Sequence, residues 1–107
     1  MALTLYGGPQ TRASMPRWYL EEKGIPYELV EIDLRGNQHR QPDYLAINPF
    51  GKLPALVDDS LLGPDGQPLT LFESGAILLH LAEHHGKEIK GPAQRSLINQ
   101  WLLFANA

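Results

Sequence analysis

Residues 48–58, with the sequence NPFGKLPALVD, decide the fold because a loop rich in turn-forming residues runs directly into a strand. Residues 48–54 include asparagine, glycine and two prolines, all of which favour turns. Residues 55–58 are predicted to form a strand and residues 69–72 another. Gly63-Pro64-Asp65-Gly66 between them predicts a hairpin loop. The stretch therefore predicts an antiparallel pair of strands that begins directly after Pro54.

The residues before this stretch predict a strand, a helix and a second strand. Residues 2–6 are rich in strand formers and stop at the breaker cluster Gly7-Gly8-Pro9. Residues 14–23 have a helical pattern, and Gly24 is predicted to end that helix. Residues 27–33 alternate in the manner of a strand. Because a helical crossover joins the two strands, they are predicted to be parallel.

The residues after the stretch predict two longer helices. Residues 35–41 are predicted to be a loop and residues 42–45 one helical turn. Residues 74–85 are predicted to be a helix closed by Gly86, and a last helix is predicted from Ala93 onward. Its apolar residues are Leu97, Ile98, Trp101, Leu102 and Phe104. The order βαβ, short helix, ββα predicts an α/β (α+β) fold with a mixed four-stranded sheet, followed by one further helix.

Composition excludes several classes of function. The chain has 107 residues, enough for one domain with its own core. Its net charge of -3 and scattered basic residues predict no nucleic-acid binding. With no cysteine, it can form no disulfide, thiolate metal site or cysteine nucleophile. Its apolar runs are short, so we expect neither a signal peptide nor a membrane span.

Three motifs in this order resemble the N-terminal domain of the glutathione transferases. They are LEEKGIPYE at residues 20–28, NPFGKLPAL at residues 48–56 and LFESGAILLHL at residues 71–81. The resemblance implies a thioredoxin-like, glutathione-binding domain over residues 1–86 and a linker over residues 87–92. It also implies that residues 93–107 are the first helix of a truncated, all-helical C-terminal domain.

Leu53 and Pro54 are the first candidate glutathione contacts. A proline at the start of a strand leaves the Leu53 amide and carbonyl unpaired by the sheet, so that they can pair with an extended peptide. The resemblance implies a cis bond between these residues, a rare feature that is usually purposeful. The alternative is an ordinary proline that opens a strand.

Glu73 and Ser74 stand where a strand passes into a helix. Ser74 is predicted to cap this helix, whose N-terminus carries a partial positive charge that suits an anion. The resemblance implies that Ser74 binds the γ-glutamyl carboxylate of glutathione and that Glu73 faces its ammonium group. His39 and Lys52 are the cationic candidates for the glycyl carboxylate, although His39 could equally be a solvated surface residue.

Tyr6 and Arg12 are the candidate catalytic residues. Transferase chemistry needs the glutathione thiol as a thiolate, and a hydroxyl donor with nearby positive charge lowers the pKa of a thiol. Tyr6 ends the first strand at a position that resembles that of the catalytic tyrosine in some classes of glutathione transferase. Arg12 similarly resembles an arginine that those classes keep near the glutathione sulfur. Thr11 is predicted to contact glutathione. The alternative activators are Thr11, Ser14 or backbone amides acting together with Arg12.

Residues 80–84 spell H-x-x-E-H, a pattern that some zinc peptidases carry. His80 lies within the apolar stripe of its predicted helix, and no later helix supplies a third ligand. A packed or surface histidine is therefore the better interpretation, and no metal is expected.

These features predict a transferase that conjugates glutathione to electrophilic small molecules in detoxification. Glutathione is expected as co-substrate with no separate cofactor, and the protein as a cytoplasmic homodimer. The electrophile site is expected to be only partly present in these residues. One alternative is a non-catalytic, transferase-like interaction module. A redox domain of glutaredoxin type is disfavoured because the chain has no cysteine to exchange.

Overall fold

A computed structural model describes residues 2–8 and 11–105 of the chain. Pro9 of the predicted breaker cluster lies outside the described residues, as do Gln10, Met1 and the last two positions of the predicted final helix. The strands are β1 (Leu3–Gly7), β2 (Glu28–Glu31), β3 (Ala55–Leu62) and β4 (Pro68–Phe72). The helices are α1 (Ser14–Lys23), α2 (Pro42–Leu45), α3 (Ser74–His84) and α4 (Pro92–Ala105), with a short 3-10 turn at Gln38–Arg40.

The four strands form one mixed sheet in the order β2-β1-β3-β4. β1 pairs with β2 in parallel and with β3 in antiparallel fashion, and β3 pairs antiparallel with β4. The predicted βαβ-α-ββα order and mixed sheet are confirmed. β3 is the central antiparallel strand, so its first residues lie between the ends of β1 and β4.

Each face of the sheet packs against its own cluster of apolar side chains. On one face, α1 and α3 close a buried cluster of Leu3, Leu5, Leu20, Leu56, Ile77 and Leu81. On the other face, Ile32, Tyr44 and Ala55 form a smaller cluster, against which Tyr6, Val30, Ile47 and Leu53 pack. Alternate residues of β1 supply the two clusters, as the twofold side-chain period of a strand requires.

Two helix boundaries are set by backbone conformation. Gly24 ends α1 in the left-handed region at φ 66°, as predicted, and its N–H donates to the carbonyl of Glu21. Ser74 was predicted to be the cap of α3, but the cap is Glu73, and Ser74 is the first residue of the helix. Glu73 has a φ of 76°, which an L-residue other than glycine rarely adopts. This conformation turns the chain sharply from β4 into α3.

All four strands differ from the predicted ranges, β1 and β4 by one residue and β3 and β2 by more. β3 continues to Leu62, four residues beyond its predicted end, because an irregular register between Asp58 and Leu62 extends the pairing with β4. β2 covers Glu28–Glu31 rather than residues 27–33. The half-buried Tyr27 and the buried Ile32 lie at the two ends of β2, and the Ile32 N–H still donates to the Gly7 carbonyl of β1 at 2.8 Å.

The last helix packs on α3, and the Arg95 guanidinium pairs with the Glu83 carboxylate. Ile98 and Leu102 are half-buried. The exposed apolar side chains of α4 are Leu97, Trp101, Leu103 and Phe104. The helix therefore keeps apolar residues on more than one face. Within the described residues, no helix has the length and hydropathy needed to cross a membrane.

Candidate functional site

A cavity of about 440 Å³ opens where the start of β3, the end of β4 and the start of α3 meet. Its lining residues are Arg12, Asn48, Phe50, Lys52, Leu53, Pro54, Phe72, Glu73 and Ser74. Six of the residues singled out from sequence as candidate contacts or catalysts lie together there: Arg12, Lys52, Leu53, Pro54, Glu73 and Ser74. A concave site with a few convergent polar groups is the usual form of a small-molecule pocket.

The Leu53–Pro54 peptide bond on the cavity wall is cis, as expected. The paired register of β3 begins at Ala55 with both of its neighbours, opposite Tyr6 and Phe72. Leu53 therefore lies outside the ladder, and its backbone stands at the edge of the sheet beside the cavity. An extended ligand that reached this edge could pair with it as a strand pairs with a neighbour.

Two buried side chains hold the loop before this bond. The Tyr44 hydroxyl donates to the Lys52 carbonyl oxygen at 2.6 Å, and the Asn48 amide nitrogen donates to the same oxygen at 3.0 Å. The Asn48 side-chain oxygen accepts from the Phe50 N–H at 3.0 Å. Burial raises the pKa of Tyr44 to about 12, so the hydroxyl remains a donor at neutral pH. The sequence pattern did not predict a role for either side chain.

Gly51 lets the same loop pass close to the preceding turn. Its φ is 66°, and a Cβ at this position would lie 3.0 Å from the His39 carbonyl oxygen. Another residue would therefore be strained and crowded there. His39 lies behind the loop rather than among the residues that line the cavity. Its Nδ1 is buried and has no hydrogen-bond partner within the described part of the chain.

The start of α3 forms the opposite wall of the cavity. The Ile77 N–H donates to the Glu73 carbonyl as the first bond of the helix. The N–H groups of the first turn have no partner within the helix and create a partial positive charge at its end. Ser74 is buried at this end, and the exposed Glu73 carboxylate stands beside it. The positive end of the helix dipole and a negative charge therefore lie side by side at this wall.

Tyr6 occupies a different place. Its ring packs against Tyr44, with centroids 5.9 Å apart. It lines a second cavity of about 450 Å³, together with Val30, Ile32, Gln38, Gln41, Asp43, Tyr44 and Ile47. Tyr6 thus does not line the first cavity, although Leu53 of that cavity packs against the same apolar cluster as Tyr6. Because Tyr6 directly follows Leu5 on β1, its side chain lies on the face of the sheet opposite α1 and α3. The sequence pattern alone did not show which face carries the site.

Thr11 organises the loop between β1 and α1. Its hydroxyl donates to the Gly8 carbonyl at 2.7 Å and accepts from the Ala13 N–H at 3.2 Å. Arg12, the next residue, lines the first cavity and is exposed. The loop therefore places a positive charge at the cavity, while the Thr11 hydroxyl bonds within the loop and does not line the cavity.

The family model for the N-terminal domain of glutathione S-transferases matches residues 1–83 of this chain. The chain belongs to the glutathione S-transferase family. Its mixed sheet and flanking helices are the thioredoxin-like fold of that family's N-terminal domain.

Three relatives illustrate the range of this transferase family. The disulfide-bond oxidoreductase YfcG of Escherichia coli K12 is 41% identical, and the match covers 95% of this chain and 47% of YfcG. The transcriptional regulator URE2 of Saccharomyces cerevisiae is 37% identical over 79% of this chain and 25% of URE2. A glutathione transferase of Burkholderia graminis is 40% identical, with a TM-score of 0.82 over 96% of this chain and 42% of that protein.

The Burkholderia graminis structure has two glutathione molecules bound per subunit. Glutathione is thus the ligand in this structural relative, in line with the expected co-substrate. This transferase chain spans less than half the length of each of the three relatives.

We expect Asn48→Ala to destabilise the transferase fold by about 1–3 kcal/mol, because the Phe50 N–H and the Lys52 carbonyl each lose a buried partner. Urea unfolding measures the free energy change. Asn99→Ala on the exposed surface of α4 is the matched control and should change stability by less than about 0.5 kcal/mol. Equal stability of the two variants would contradict the bracing role of Asn48.

Proposed function

We propose that the first cavity binds glutathione and holds its thiol as a thiolate for conjugation to electrophilic small molecules. The observation that carries the proposal is the backbone of Leu53, which lies outside the sheet pairing of the described residues and faces the start of α3 across the cavity. Glutathione is a short peptide with a carboxylate at each end and an ammonium group at one of them. An edge that pairs with a peptide and a helix end that attracts an anion match both features.

The proposed contacts follow the charges of the ligand. The Leu53 backbone pairs with the cysteinyl residue of glutathione, next to Pro54. Ser74 and the first turn of α3 bind the γ-glutamyl carboxylate, and the Glu73 carboxylate pairs with the ammonium group. Lys52, which is exposed at the cavity wall, binds the glycyl carboxylate. Such charge-assisted hydrogen bonds are stronger than neutral ones.

His39 is the proposed second contact for the glycyl end. Its buried Nδ1 has no partner in the described structure, and its carbonyl lies against Gly51, next to Lys52. A small movement of the loop would be needed to bring the ring to the cavity. Lys52 already lines the cavity and is therefore better placed than His39 to contact the glycyl carboxylate.

Activation of the thiol is proposed to depend on Arg12 and the loop that Thr11 organises. A guanidinium close to the sulfur stabilises the thiolate and lowers the pKa of the thiol. Tyr6 remains the rival activator that the sequence predicted, but its ring packs on Tyr44 beside the second cavity. Arg12 lines the first cavity, and this difference supports the guanidinium as the main source of stabilisation.

The domain organisation, oligomeric state, location and biological role are proposed from the family. Residues 1–86 form the glutathione domain and residues 87–91 the linker. Helix α4, which begins at Pro92 rather than at the predicted Ala93, is the first helix of a helical domain that completes the electrophile site. The exposed Leu97, Trp101, Leu103 and Phe104 support a partner surface at this helix. We propose a homodimeric, cytoplasmic enzyme that acts in detoxification.

Ser74→Ala should weaken glutathione binding by about 1–3 kcal/mol, because a hydrogen bond to a charged carboxylate is lost from a buried position. Isothermal calorimetry on both proteins measures the difference. Ser96→Ala, at an exposed position of α4, is the matched control and should bind as the parent does. Unchanged affinity in Ser74→Ala would remove this residue from the site.

Arg12→Gln should raise the pKa of the bound glutathione thiol by about one unit, equivalent to about 1.4 kcal/mol, because the positive charge near the sulfur is lost. Tyr6→Phe should leave this pKa nearly unchanged. The ultraviolet absorbance of the thiolate, followed against pH with saturating glutathione, measures both. The reverse result, a raised thiol pKa in Tyr6→Phe and none in Arg12→Gln, would identify Tyr6 as the activator.

Disulfide reduction is the second candidate function, and the similarity to YfcG favours it. The chain has no cysteine, so glutathione itself would supply the thiolate that attacks the disulfide. The attack forms a mixed disulfide with glutathione and releases the other sulfur as a thiolate. The products distinguish the two candidate functions, since conjugation gives a thioether, whereas disulfide reduction gives a mixed disulfide with glutathione and a free thiol. A chain that binds glutathione but forms neither product would favour the non-catalytic module, a role that the similarity to URE2 keeps open.

A further inference from the structure

Asp58, His80 and His85 form a buried polar cluster away from the residues that line the first cavity. Asp58 lies on β3 with 0% of its surface exposed. One of its carboxylate oxygens, Oδ2, is 2.7 Å from the Nε2 atom of His80 and 2.8 Å from that of His85. The two histidine side chains are 8% and 6% exposed. The cluster joins the middle of the sheet to the C-terminal end of α3.

The three side chains are of the types that bind divalent transition metals. Imidazole nitrogen and carboxylate oxygen are both zinc ligands, with bonds of about 2.0–2.2 Å. In this cluster the three candidate ligand atoms all lie within 4.8 Å of one another. The two Nε2 atoms lie at hydrogen-bond distance from Oδ2, so a metal ion would replace these two bonds, and the imidazole rings would turn to direct their Nε2 lone pairs at it. A site with three protein ligands commonly takes a water molecule as the fourth.

Ser60 supplies hydrogen bonds that orient a ligand from outside the coordination shell, as metal sites usually have. Its N–H and its hydroxyl both donate to the other carboxylate oxygen, Oδ1, at 3.0 Å and 2.5 Å. These bonds fix the orientation of Asp58 and leave Oδ2 directed at the histidines. Hydrogen bonds of this kind orient metal ligands and are part of the design of metal sites.

We infer that Asp58, His80 and His85 bind a divalent transition-metal ion of the Zn²⁺ type, which fastens the end of α3 to β3. Zinc would coordinate the Nε2 lone pairs, so both histidines would carry their remaining proton on Nδ1. The H-x-x-E-H pattern had pointed to His80 and His84 as a pair. In the structure the exposed His84 packs its ring on that of His80, with centroids 4.8 Å apart, and its Nε2 lies 3.6 Å from the Glu83 carboxylate. It is His85, outside that pattern, that shares Asp58 with His80.

Titration with the metal alone tests the inference. The untagged chain, freed of metal by a chelator and kept free of glutathione, is titrated with Zn²⁺ by calorimetry and with Co²⁺ by visible absorption. We expect one ion per chain, a higher Tm with Zn²⁺, and the intense Co²⁺ bands of a four-coordinate site. His80→Gln and His85→Gln should each lower the affinity at least about tenfold, because the substituted amide keeps an N–H donor for Asp58 but lacks the imidazole nitrogen.

His84→Gln is the matched control, because its side chain is 43% exposed and belongs to the same helix. It should bind both metals as the parent does. Absence of stoichiometric binding in the parent would overturn the inference, as would binding that survives His85→Gln or that disappears in His84→Gln. Should a ligand variant fail to fold by circular dichroism, the Co²⁺ spectrum of the parent decides the question, intense bands supporting the site and their absence overturning it.

Discussion

The Lys52 carbonyl oxygen accepts hydrogen bonds from the Tyr44 hydroxyl and the Asn48 amide, and the geometry of the first cavity depends on this pair. Both donors are buried, so the loop cannot exchange these bonds for water without exposing the interior. The bonds fix the carbonyl that directly precedes Leu53. The edge proposed to pair with glutathione therefore stands in place before any ligand arrives, which lowers the cost of binding.

β3 connects this loop to the rest of the molecule. Its first residue pairs with Tyr6 on one side and Phe72 on the other, so the end of β4 is held beside the loop. Glu73 then turns the chain with its positive φ and starts α3 at the cavity wall. Such a conformation costs roughly 1–3 kcal/mol and persists where the surrounding structure maintains it, often at functional sites. The sheet register thus positions both walls of the cavity.

The sequence predicted the order of elements because local signals marked most of their boundaries. Gly24 adopts the left-handed conformation that its position after α1 required, and the cis bond at Pro54 followed from the motif around it. The extension of β3 to Leu62 was missed because it depends on an irregular register with β4. The cap at Glu73 was missed because glutamate has no preference for positive φ, so nothing in the local pattern indicated it.

The sequence predicted the site residues that lie in the motifs. It did not predict the contacts that depend on tertiary packing. Leu53, Pro54, Glu73 and Ser74 come from two motifs, which the register of β3 and β4 brings together. The bracing by Tyr44 was not predicted, because a single helical turn gives no sign of which side chain is buried. The orientation of Tyr6 likewise depends on which sheet face α2 covers. His85 joins His80 only through Asp58, which is far away in sequence.

Mapping of glutathione binding by NMR tests the central claim most directly. With the isotope-labelled chain, increasing glutathione should shift the amide resonances of Leu53, Glu73, Ser74 and Gly75 in a saturable way. Resonances of the distant Leu61 and Leu62 should remain in place. Shifts that centre instead on the cavity beside Tyr6 and Tyr44, or no saturable shifts, would contradict the assignment of the first cavity as the glutathione site.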